Sequence, residues 1–190
     1  MTPMSETENA SASAPAWDPK PEPKPDSERQ PKPQTQTQPQ TLDRAGIAAR
    51  VPHAGAMCLL QTLQSWDETA IACTTLSHLD PHNPLREAGV LPAVAGIEYA
   101  AQAMALHAAL QAAQDAPADS APTPGFLASV RAVRCWVLRL DTLPGALTVQ
   151  AHRMAGDGKQ AMYAFSLHDA HAALLVEGRA TVILSALPSS

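Results

Sequence analysis

Two apolar runs, MCLLQTLQSW (57–66) and TAIACTTLS (69–77), flank a polar turn at Asp67 and Glu68 and predict a β-hairpin. After a loop comes LPAVAGIEYAAQAMALHAALQAA, from Leu91 to Ala113, apolar on nearly every face. Its polar exceptions, in and just after the run, are Glu98, Tyr99, Gln102, His107, Gln111 and Gln114, a pattern that predicts a long helix buried along most of its length. DAPADSAPTPG, with three prolines and a glycine, ends it and is expected to be a mobile loop. Beyond Gly125 the period changes to that of strands: FLASVRAVRCWVLRL, then ALTVQAHR with Leu147, Val149 and Ala151 alternating against Thr148, Gln150 and His152, then MYAFSL and AALLVEGRATVIL. The breaks between them, Pro144-Gly145, Gly156-Asp157-Gly158 and His168 to His171, are short enough for direct antiparallel connections. The order strand, strand, long helix, four strands predicts an α+β domain: an antiparallel sheet wrapped around a central buried helix. Such a unit leaves a sheet edge open, which favours dimerisation.

Composition divides the chain of 190 residues in two. Residues 1–43 contain nine of the 18 prolines and the polar run QPKPQTQTQPQT, with too few apolar side chains to offset the entropy of ordering, so they are expected to be a disordered tail. Residues 44–190 are rich in Ala, Leu and Val and are expected to form one domain. The net charge of −5 gives no basis for nucleic acid as a partner. No secretion signal or membrane span is legible, and a soluble cytoplasmic protein is expected. Cys58, Cys73 and Cys135 lie among apolar residues without paired spacing and are expected to be buried, reduced thiols.

The chemically informative residue is Glu98, the single charged side chain of the helix before Asp115. The Ala, Val and Ile side chains around it would favour a carboxyl group that keeps its proton. Gln102 follows one turn later on the same face and can hold that carboxyl or a water. His78 and His82 have the i, i+4 spacing of a metal pair, but Asp80, Pro81 and Pro84 make the segment a loop and no third ligand is apparent, so no metal is expected. His53, in VPHAG, reads as structural, and ordinary packing or exposure accounts for His107, His152, His168 and His171.

The segment Pro92 to Gln102, with VPHAGAMCLL upstream and the strand-rich half downstream, resembles the hotdog-fold 3-hydroxyacyl-(acyl carrier protein) dehydratases. In that family a proline lies six residues before a catalytic glutamate and a glutamine four residues after it, as Pro92, Glu98 and Gln102 do here. NPLREAGVLPAVAGIEYAAQAMALHAAL and GFLASVRAVRCWVLRLD are more similar still to the accessory dehydratases of aryl polyene pigment clusters, the ApeP-like proteins. The departures are Pro84 at the place of the family's His-Phe-Pro-Gly histidine, with His82 two residues away, and Ala93 at the place of a glycine.

The resemblance implies a hotdog fold and dehydration of 3-hydroxyacyl thioesters on an acyl carrier protein to trans-2-enoyl thioesters, in aryl polyene or fatty-acid-like synthesis. It implies Glu98 as proton donor, His82 as its catalytic counterpart, backbone N–H groups around Gly96 as the site for the thioester carbonyl, and Gln102 as a substrate-binding side chain. No cofactor is expected. The implied partners are a carrier protein with a phosphopantetheine arm, met by Arg86, Arg131, Arg134, Arg139 and Arg179, and a second copy or another hotdog dehydratase. Two alternatives stay open: a non-catalytic or weakly active partner subunit of a heterodimeric dehydratase, and a hotdog acyl thioesterase.

Overall fold

A computed structural model describes residues 41–115, 125–157 and 159–184. The expected tail up to position 40 and the expected mobile loop at 116–124 lie outside the described residues. Leu42 and Asp43, the end of that tail as read from composition, are engaged with the domain. Leu42 bridges to Leu63, and Asp43 caps a short helix α1 (Arg44–Ala48) by accepting the Gly46 N–H. That helix was not legible in the sequence. It is five residues long and buries only Ile47, too short for a 3.6-residue period to emerge.

Six strands follow: β1 (Thr62–Trp66), β2 (Ala70–Thr75), β3 (Gly125–Cys135), β4 (Leu147–Gly156), β5 (Gln160–His168) and β6 (Leu174–Leu184). They form one antiparallel sheet in the order β1-β2-β4-β5-β6-β3. The long helix α2 (Gly96–Asp115) enters between β2 and β3 and lies across the sheet, touching β4, β2 and β5 most. This is the hotdog arrangement expected from the resemblance.

Alternation decides which face of each strand meets the helix. Ile71, Cys73 and Thr75 of β2, Leu147, Val149 and Ala151 of β4, and Ala161, Tyr163, Phe165 and Leu167 of β5 are buried, while their neighbours are less so. From α2, Tyr99, Ala100, Ala103, Met104, Leu106, His107 and Leu110 complete the core. At the start of α2 the contact is closest. A Cβ on Gly96 would stand 3.0 Å from Leu167 Cδ2 and 3.3 Å from Val176 Cγ2, so glycine lets the helix begin this near the sheet without displacing those side chains.

The single long strand expected over 126–140 is interrupted. Its pairing with β6 shifts between Arg131 and Arg134, where Ala132 has φ 53°, and regular strand ends at Cys135. The remainder turns inward to pair with the chain entering α2: Ala93 N–H donates to Leu138 O (3.0 Å) and Leu140 N–H to Leu91 O (2.9 Å). β3 pairs with β6 on one side and forms the edge of the sheet, leaving Phe126, Leu127, Trp136 and Leu138 exposed. Cys135 shares that exposure, correcting the expectation that all three thiols are buried; Cys58 and Cys73 are.

Candidate active site

α2 is preceded by a 3-10 turn, Ala93–Ala95, so that Glu98 falls in the first turn of the helix. The Gly96 N–H, expected to face a thioester carbonyl, already donates to the carbonyls of Ala93 and Val94. What the structure shows for Gly96 is close packing.

Glu98 does not sit in a purely apolar wall. Its side chain is 30% exposed, and its Oε1 lies 3.1 Å from His53 Nε2 and 3.0 Å from Gln102 Nε2. Gln102 is fully buried and satisfied on both ends of its amide. Its Oε1 accepts the Leu59 N–H at 2.9 Å, and its Nε2 also donates to Met57 O at 2.7 Å. It therefore meets residues 57 and 59 as a neighbouring strand would, tying the segment before β1 to the helix.

His53 reaches the carboxyl because its segment is held at several points. Val51 is buried, and Gly55 turns the chain at φ 59°, which strongly favours glycine. Arg44 donates to the carbonyls of Gly55 (3.0 Å) and Cys58 (3.2 Å), while Thr75 and Ser77 hydroxyls both donate to Leu59 O. His53 Nδ1 is buried without a hydrogen-bond partner.

His82 is placed differently. It is exposed on the loop after β2, where its backbone N–H donates to Asp80 Oδ1 at 2.8 Å, and the histidine within ion-pair distance of Glu98 is His53. The loop is pinned from below: Tyr99, fully buried one residue after Glu98, meets Ser77 Oγ at 3.1 Å and accepts from Asn83 Nδ2 at 2.9 Å. Arg86 donates to the carbonyls of His78, Asp80 and Gly89 and to Asp141. Arg139 pairs with the same Asp141, and its guanidinium holds that carboxyl well below the usual range. Two of the five arginines expected to meet a carrier protein are thus engaged inside the domain. Arg134 pairs with Glu177 at 3.5 Å, while Arg131 and Arg179 lie opposite one another on β3 and β6, both exposed.

The structure brings Glu98 and Gln102 together, as their spacing predicted, and sets beside them His53, which the sequence reading took as structural. The available signal was the same as for Glu98: one ionisable side chain at the head of an otherwise apolar stretch, VPHAGAMCLL. Two clefts, of about 530 Å³ over β1, β2, β4 and β5 and about 500 Å³ beyond the C-terminal half of α2, are lined by none of Glu98, His53 and Gln102. Among the described residues no helix is long and apolar enough to cross a membrane.

The model of the ApeP-like family, described as ApeP dehydratase, matches residues 45–188. Among solved structures, the chain is similar to the dehydratase heterocomplex ApeI:P from Xenorhabdus doucetiae, with 24% identity and a TM-score of 0.64 over 74% of this chain and 91% of that one. A thioesterase from Haemophilus influenzae, HI1161, matches at 13% identity and a TM-score of 0.45 over 67% of this chain and 79% of that one. No curated protein matches in sequence. With the family's match spanning nearly all of the domain, the chain belongs to the ApeP-like dehydratase family.

Proposed function

We propose that this protein dehydrates 3-hydroxyacyl thioesters carried on an acyl carrier protein to trans-2-enoyl thioesters, in aryl polyene or fatty-acid-like synthesis. The observation that carries the reading is the Glu98 carboxyl, hydrogen-bonded by Gln102 at 3.0 Å and within ion-pair distance of His53 at 3.1 Å. Loss of water requires a group that takes a proton from the carbon beside the carbonyl and a group that gives one to the leaving hydroxyl. A positioned carboxyl with an imidazole at its side is suited to both. His53 takes the place that the sequence suggested for His82.

The site is open at one chain. Glu98 is partly exposed, and the apolar residues Val94 and Leu138, 55% and 93% exposed, belong to the two segments that pair at the helix start. We propose that a second hotdog chain, docking along the β3 edge, completes an apolar passage for the acyl chain. The similarity to a heterocomplex of dehydratases supports a different hotdog subunit as that partner. The exposed Arg131 and Arg179 remain available for an acidic carrier protein.

The test is an assay of the purified protein, alone and with a second hotdog dehydratase, on 3-hydroxyacyl carrier protein, with mass detection. Loss of 18 Da, about the mass of water, from the carrier-bound acyl group is expected, as elimination demands. Release of the whole acyl group would instead establish thioester hydrolysis.

A further inference from the structure

We infer that Tyr99 is a positioning residue for the Glu98 carboxyl: its hydroxyl directs a chain of hydrogen bonds that runs from Asn83, through Ser77, Leu59 and Gln102, to Glu98 Oε1. Its catalytic meaning rests on the dehydratase reading; the bonds themselves do not. Tyr99 adjoins Glu98 in sequence, but its buried hydroxyl meets Ser77 and Asn83, so the link to the carboxyl is made through the fold and not along the helix.

What each group can offer fixes the direction of its bond. Asn83 Oδ1 accepts the Leu85 N–H at 3.0 Å, so the amide nitrogen faces the Ser77 carbonyl at 2.8 Å and the Tyr99 oxygen at 2.9 Å. That oxygen therefore accepts from Asn83, and its own proton has one acceptor among the described residues, Ser77 Oγ at 3.1 Å. Ser77 in turn donates to Leu59 O at 2.8 Å, where the Thr75 hydroxyl also donates at 2.6 Å. A carbonyl has no proton to return, so the chain runs one way.

Leu59 is thereby held on both sides. Its carbonyl takes the two hydroxyls, and its N–H donates to Gln102 Oε1 at 2.9 Å. The Gln102 amide places one N–H on Met57 O at 2.7 Å and the other on Glu98 Oε1 at 3.0 Å. Among the described residues five polar side chains are buried, and three of them, Thr75, Asn83 and Gln102, belong to this network. Where water does not reach, an unmade bond is costly, so a change at Tyr99 passes along the chain instead of being absorbed by solvent. The loop that carries His82 thus acts on Glu98 through Asn83 and Ser77, and the exposed imidazole takes no part.

The test is Tyr99→Phe in the full chain, which keeps the ring and its packing and removes the hydroxyl. NMR of the folded protein should show the Leu59 N–H and the Gln102 side-chain amide moving upfield, as protons in weaker hydrogen bonds do, while Thr181 of β6 stays in place. With a second hotdog dehydratase present and 3-hydroxyacyl carrier protein as substrate, kcat should fall about 10- to 10²-fold at nearly unchanged KM, the scale of a small misplacement near reacting groups. Ser77→Ala, which removes the next hydroxyl, should reproduce both effects, and the double variant should fall no further. Ser77→Ala also carries both measurements should Tyr99→Phe not fold. Unmoved Leu59 and Gln102 signals, an equal shift at Thr181, or losses that add in the double variant would overturn the inference. So would an unchanged kcat in an assembly that dehydrates. The expected shifts in a protein that dehydrates nothing in any assembly would overturn the proposed reaction and leave the coupling of Tyr99 to Gln102 standing.

Discussion

Glu98 is informative because it is the one carboxyl group of α2 before the helix's last residue, Asp115. Glu98→Gln preserves volume and can still accept from Gln102 through its amide oxygen, but it cannot carry a transferable proton. Folding should survive and dehydration fall by about 10²–10⁴-fold, the usual worth of a positioned acid–base group. His53→Ala should lower turnover clearly, and less than Glu98→Gln, while His82→Ala should remain near the unmodified rate because that side chain is exposed away from the pair. Steady-state assays of the three variants check the order; a His82→Ala loss equal to that of Glu98→Gln would restore the histidine first suggested by the sequence.

At the scale of elements, the site depends on how closely α2 begins to the sheet. Gly96→Val adds a branched side chain where even one methyl group would stand 3.0 Å from Leu167 and 3.3 Å from Val176, both fully buried. Overpacking of this kind costs about 1–3 kcal/mol, and the strain should fall on the helix start. Thermal unfolding should show the loss of stability, and activity should drop further than stability alone explains, because Glu98 lies two residues on. An unaltered melting temperature would mean that the helix has room the structure does not show.

The whole molecule carries two buried histidines that make its stability depend on pH. His78 donates to Leu143 O at 3.2 Å with its other ring nitrogen unpartnered, and burial, with Arg86 nearby, lowers its proton affinity below the ordinary 6.5. His107 is wedged between the Tyr163 hydroxyl (3.0 Å) and Asp67 O (2.8 Å), and burial lowers it too, while the same burial pushes the Tyr163 phenol up to about 12. Both rings are neutral when folded and take protons more readily when unfolded. Their contribution is therefore full above pH 6.5 and lost as pH falls through the lowered folded values. The carboxyls of Asp67 and Asp141, held below their ordinary 3.8, act only in stronger acid. The melting temperature should fall by several degrees between about pH 7.5 and 5.5, and His107→Gln should flatten that fall. A flat profile in the unmodified protein would contradict it.

Periodicity was enough to reveal the long helix, the hairpin and the four later strands, because each buries a regular face over many residues and 2.0 and 3.6 spacings are local properties. It missed α1 and placed the end of β3 too late, since a five-residue helix and a bulge at Ala132 have no period to display. Glu98 and Gln102 were legible together because i, i+4 spacing on one helix sets neighbours without any tertiary contact. His53 was not, because 45 residues separate it from Glu98 and their meeting depends on Arg44, Gly55 and the Gln102 amide holding a loop against the helix. Nor could spacing tell that the Gly96 N–H is already bonded or that Arg86 and Arg139 converge on Asp141. The sequence alone determined which elements form and which faces they bury; only the tertiary structure decided which polar groups meet, because such bonds join residues distant along the chain.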